Sequence, residues 1–194
     1  WSAVLGLHLV NGLAQWSHDE KEWALARLRD HCRGDRTFLG IGLENLRNSK
    51  SLEYLILHCT NYAQGAALVL DPGFDFETPY LHRFLDGDVL AYWLDGRSFA
   101  RPWEEGNNIV NVASYLALCN DHGEPRASSR LEQMLAWHRK YQNPKTGGFD
   151  NFDSPARRHR LQAMAGAVHD FHLHLYLGEP MGYERLIADT VTDF

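Results

Sequence analysis

The run Lys140-Tyr-Gln-Asn-Pro-Lys-Thr-Gly-Gly-Phe-Asp-Asn-Phe152 decides how the chain is read. It joins two stretches of different helical character. Before it, Arg130–Tyr141 is amphipathic. After it, Arg160–Leu177 is apolar almost all round, carries Ala163, Ala165, Gly166 and Ala167, and closes on Leu-Tyr-Leu-Gly-Glu-Pro180. Asn-Pro and Gly-Gly are turn signals, so the run reads as a tight connection between a half-exposed helix and a buried one.

Working outward, the same alternation recurs. Long apolar helices are predicted over Ser2–Trp16, Ser51–Leu70, Asn107–Asn120 and Arg160–Leu177. Shorter amphipathic ones are predicted over Asp19–Arg33, Pro79–Leu94, Arg130–Tyr141 and Gly182–Thr190. Ser17 with Glu20, and Ser129 with Glu132, have the S-x-x-E spacing in which each side chain satisfies the other's orphan backbone donor. Thr78-Pro79 reads as an N-cap followed by proline at the first helical position. Thr37–Ile41 is the one stretch with a strand signal. The short-helix starts recur at roughly fifty residues, and such a period signals a solenoid or a closed ring of hairpins. The expected fold is all-α: an α/α toroid with inner and outer helix layers, one domain over residues 1–194 with about four hairpins. An ordinary helical bundle is the alternative. Because the chain opens at Trp1, without Met and inside a helical pattern, an upstream portion is expected to be missing.

Gln142, Asn143, Pro144, Gly147, Gly148 and Phe149 resemble the Q-n-p-x-x-G-G-f core of the repeat shared by squalene and terpene cyclases and protein prenyltransferases. In that superfamily of α/α toroids the loop follows an outer helix and leads into the next inner one, as it would here. The resemblance covers about forty residues; the other hairpins agree in pattern only. The superfamily's catalytic signatures are mostly missing. No D-x-D-D run occurs, and Asp71-Pro-Gly-Phe-Asp75-Phe-Glu77 has the wrong spacing to replace it. His172 lies near the place of a prenyltransferase zinc ligand, yet no Asp-x-Cys pair exists. Six-hairpin glycosidases and lyases are built alike, so the resemblance implies a fold before it implies a chemistry.

Composition excludes several classes. Apolar residues are 44% and charged ones 23% of 194, as in globular domains, which excludes disorder. Lys plus Arg is 19 against 25 for Asp plus Glu, a net charge of -6 that argues against nucleic acid as a partner. Cys32, Cys59 and Cys119 are too few and too scattered for a disulfide framework or a zinc site, which points to a reduced, cytoplasmic compartment. No apolar run approaches the ~20 residues of a membrane span.

At about 100° per residue, each long helix carries one polar and aromatic stripe. On the last it is Gln162, His169, His172 and Tyr176; on the third, Asn107, Asn108, Asn111, Ser114 and Tyr115. On the second it is Tyr54, His58, Asn61 and Tyr62, and on the first His8, Asn11 and Gln15. A single such residue usually just bonds a neighbour. Four stripes are hard to pair in a dry core, so they fit a solvent-filled cavity, where small-molecule sites sit. Asn, His and Tyr suit hydroxyl-rich ligands, since they donate, accept and stack.

The expected function is therefore a carbohydrate-directed enzyme of hydrolase or lyase type, or a saccharide binder. The alternatives are an isoprenoid-handling enzyme and a non-catalytic scaffold. His169 is the expected proton-handling residue. Glu105 and Asp150 would supply carboxylates at the mouth formed by Trp103–Asn108 and Asp150–Asp153, although Glu104 and Glu105 also suit plain helix capping. Trp103 would stack on the ligand. Asn107, Asn108, Asn111, Tyr115, Gln162, His172, Tyr176, His58 and Asn61 would orient it. No cofactor and no metal are expected. His169 and His172 could meet one ion, but His174 points to another side, and two ligands on one helix do not make a site.

Overall fold

A computed structural model describes residues 2–39, 51–152 and 156–192. Among them the chain is all-α, and it divides into two compact units, Trp1–His82 and Arg83–Phe194.

In the first unit α1 (Ser2–Leu9) ends where Asn11 takes a left-handed conformation, φ 57°, and a 3-10 turn follows over Gly12–Gln15. The single helix expected over Ser2–Trp16 is thus broken. Ser17 caps α2 (His18–Arg29) as expected: its hydroxyl accepts from the Glu20 N–H, and the Glu20 carboxylate accepts from the Ser17 N–H at 2.7 Å. Ser51 caps α3 (Leu52–Leu70) by accepting from the Tyr54 N–H. Both α1 and α2 pack on α3 around Val4, Leu13, Leu25, Leu28, Ala66 and Leu70. Pro79–His82 forms one helical turn, α4, and the Thr78 hydroxyl is turned to Gln64 and Phe76 instead of capping it. The strand signal after Arg36 yields a lone antiparallel bridge, Cys32 to Phe38; residues 40 and 41 lie outside the described residues.

In the second unit Asp86 accepts from the N–H groups of Asp88 and Val89 and so starts α5 (Gly87–Asp95), which is why no continuous helix runs over Pro79–Leu94. Then come α6 (Pro102–Asp121), α7 (Ala127–Tyr141), α8 (Arg157–Leu177) and α9 (Glu184–Thr192). The box expected at Ser129 does not form. Helix α7 begins two residues earlier, and Ser129 donates to the Arg126 carbonyl from inside it.

Helices α6 and α8 run parallel. Gly166 lies against Pro102 and Gly106, His169 against Trp103 and Asn107, and Tyr176 against Ala117 and Asn120. A Cβ added to Gly166 would sit 2.6 Å from the Pro102 carbonyl, so here the two backbones touch with no side chain between them. Helix α7 packs on both.

The connection from α7 to α8 is the 140–152 run. Gln142 Nε2 donates to the Gly147 carbonyl at 2.9 Å and to Gly182, and the Asn143 N–H donates to Gly148 at 2.8 Å. Asp150 accepts from Asn143 Nδ2, the Thr146 hydroxyl and the Phe152 N–H. Gly147, at φ 73°, takes a conformation that side chains resist. These bonds turn Phe149 inward, where it is fully buried against Phe99, His138 and Phe171.

Candidate functional site: the groove between α6 and α8

Small residues on α6 leave a groove of about 190 Å³ along this parallel pair, lined by Val110, Ala113, Ser114, Ala117, His172, Leu173 and Tyr176. On the α8 side its polar groups are His172 and Tyr176, members of the predicted stripe, and His169 lies one turn before them.

At the N-terminal end of the pair, Asn107 Nδ2 donates to the Trp103 carbonyl at 2.9 Å and lies 3.2 Å from His169 Nε2. A donor at that distance assigns Nε2 as the acceptor, so the His169 proton sits on Nδ1. The Trp103 ring meets His169 edge to face, 4.9 Å between centroids, and is half exposed. Burial, and then the neighbouring His172, hold the His169 imidazole below its ordinary value. It is therefore neutral at pH 7, and its one lone pair, on Nε2, faces Asn107. At the other end Tyr176 donates to Asp121 at 2.6 Å and accepts from Asn120 Nδ2 at 3.0 Å. Burial, followed by the Asp121 carboxylate, pushes its phenol up. The two ends are seven residues apart on α8, or ~10 Å.

The structure thus brings together Trp103, Asn107, His169, His172 and Tyr176. Other expected members go elsewhere. Asn108, Asn111 and Tyr115 are buried on α6 about 60–140° round from Trp103 and Ser114, and do not line the groove. Gln162 is exposed on α8, one turn before Gly166. Glu105 pairs with Arg97 at 3.5 Å, and Glu104 with Arg101 at 3.7 Å. Asp150 is committed to closing the turn. Its carboxylate is not presented to His169, because three donors of its own loop hold it. Asp153 lies outside the described residues. His58 and Asn61 belong to the first unit, where the His58 ring stacks on Tyr54 at 5.4 Å and leans on Tyr62.

Sequence reasoning passed over one cluster. His138, Asp170 and His174 are wholly buried together on the side of α8 away from the groove. His138 Nε2 is 3.4 Å from Asp170 Oδ1, and the two imidazoles stack at 5.6 Å with 5° between their planes. The signal was present: Asp170 and His174 sit at i and i+4 on a face otherwise made of Ala163, Ala167 and Leu173.

A second recess, about 310 Å³, opens in the first unit beside Phe38, Phe74 and Phe76. Arg36 on its rim is ion-paired with Asp75 at 2.8 Å. Among the described residues no group of three or more His, Cys, Asp or Glu could hold a metal ion, and no helix is long and apolar enough to cross a membrane. No family model matches the chain, and no curated protein or solved structure is similar to it.

Proposed function

We propose that the chain is an α/α-toroid protein whose α6–α8 groove takes a saccharide. The parallel pair α6 and α8, with α7 returning between them and a Q-N-P-x-x-G-G-F turn leading from α7 into α8, supports the toroid. One observation carries the ligand class. A half-exposed Trp103, with His169 beside it held by the buried Asn107 and Tyr176 two turns further along, offers a stacking face and polar groups on one line.

Of the chemistries open to a saccharide enzyme, this line suits proton abstraction better than hydrolysis. His169 is a neutral base. Hydrolysis by the usual route needs two carboxylates facing one bond, whereas Glu105 and Asp150 are each engaged elsewhere.

A second reading has its own support. Val110, Ala113, Ala117 and Leu173 give the groove an aliphatic floor, and the turn resembles the cyclase and prenyltransferase repeat, so an isoprenoid chain is the competing ligand.

Thermal shift and tryptophan fluorescence, with neutral and uronic oligosaccharides against farnesyl diphosphate, separate the two. A saccharide response that disappears in Trp103→Ala supports the first reading. A response to farnesyl diphosphate alone supports the second. Silence towards both ligands overturns both.

A further inference from the structure

Three titratable side chains away from the groove, His138, Asp170 and His174, are sealed in the interior with hydrogen-bonding capacity left over. His174 Nδ1 lies 3.0 Å from the Pro180 carbonyl, so Nδ1 carries the proton and donates it. Its other nitrogen, Nε2, is buried and has no hydrogen-bond partner among the described residues. Neither His138 nitrogen makes a hydrogen bond of good geometry, although Nε2 sits 3.4 Å from Asp170. The three belong to the surfaces that hold this half of the unit together. His138 comes from the last turn of α7 and touches Phe149 of the turn at 4.7 Å, while Asp170 and His174 come from α8.

We propose that this cluster is an acid-release latch: with His174 neutral it clamps α7 and the 142–150 turn onto α8, and a proton on His174 loosens that packing. The new N–H at Nε2 would find no acceptor among the described residues, and a buried donor left unpaired is costly. The charge would also face the stacked His138 ring, which shares the Asp170 carboxylate. Burial moves that carboxylate toward its neutral form, which leaves it less able to balance a charge on His174.

The surrounding charges lean the same way. Burial is the largest influence on His174 and pushes it below its ordinary value. The Pro180 carbonyl opposes that shift. His138 and Arg139 from α7 add to it, and Glu179, just after α8, opposes it. Arg139 is itself paired with Glu179. Among the described residues α6 and α9 bring no charge to bear on the ring. Asp170 is moved upward, first by burial, with His138 and then His172 acting against it.

The sign follows from linkage. A histidine held neutral in the folded state binds fewer protons there than in the unfolded chain, where it titrates near ~6.5. Its contribution is complete above that value and is lost as pH falls below it.

Urea unfolding of the whole chain, wild type against His174→Gln, between pH 5 and 8 tests this. Gln keeps a donor for Pro180 and takes no proton. The ratio of the two folding constants should be constant above pH 7. Below about 6.5 the wild type should lose up to ~10-fold per pH unit relative to the variant. Parallel curves for the two proteins would overturn the latch. If the variant fails to fold, ring NMR of the wild type decides. His174 should remain neutral at a pH where a histidine in a short peptide is protonated, and ordinary titration refutes the proposal. Amide exchange at pH 5 gives a local readout. Faster exchange of 142–150 than of mid-α6 supports the latch, and equal acceleration of both overturns it.

Discussion

Two faces of one helix carry histidines, and they do different work. On the groove side of α8, His169, His172 and Tyr176 are half-buried or exposed; His169 meets Asn107 of α6, Tyr176 meets Asn120 and Asp121, and His172 turns to the His169 carbonyl. About 130° round the same helix, Asp170 and His174 are sealed against His138. Residue type is the same on both faces, so type alone tells a reader little. What differs is whether a ring can meet water. A wet imidazole can trade protons with a ligand; a dry one can only hold or lose the packing around it.

The largest effect should come from the dry side. Phe149→Ala removes the ring that fills the space between His138, Phe99 and Phe171, and should cost about 3–5 kcal/mol in urea unfolding. A cost below ~1 kcal/mol would mean that the turn does not anchor this face. Next is Gly166→Ala, whose Cβ would collide with the Pro102 carbonyl. It should cost about 2–3 kcal/mol and should spoil both faces at once, because it pushes α8 off α6. Unchanged ligand response in a destabilised Gly166→Ala protein would show that the groove does not depend on that contact. Asp150→Asn strips charge from a loop carboxylate with three donors and should cost about 1–2 kcal/mol, with no change in ligand response once folded. A lost response at full stability would return Asp150 to the site. The smallest stability change belongs to His169→Gln. It should alter unfolding by no more than ~0.5 kcal/mol, yet abolish turnover of any uronic substrate the protein acts on. Full activity together with lost stability would make His169 a structural residue.

Much of the fold was legible where local chemistry acts alone. Ser17 with Glu20 starts a helix because a side-chain oxygen meets an orphan N–H a turn away, and nothing distant interferes. Ser129 misled because the same spacing also fits inside a helix already begun at Ala127. The long helix expected from Pro79 failed at Asp86, whose carboxylate caps a fresh helix more favourably than it continues an old one. The groove was legible on α8 and only half so on α6. Both sides of α6 are covered by other helices, so periodicity shows that Asn107, Asn108 and Asn111 are inside without saying which wall each faces. That choice is made by the contact between Gly106 and Gly166, which lies sixty residues away in sequence and leaves no periodic trace.

The same contact sets how the groove can move. Two backbones pressed together at Gly106 and Gly166 cannot approach further, and the side-chain atoms nearest the two glycines are the stiff Cβ positions of Pro102 and His169. Beyond that point the helices are separated by Ser114, Ala117, His172 and Tyr176. Any widening of the groove must therefore be a scissoring about the glycine contact, small beside Trp103 and greatest beside Tyr176. The Tyr176–Asp121 hydrogen bond is the catch at the open end of those blades, and a ligand that enters from that end must break it first.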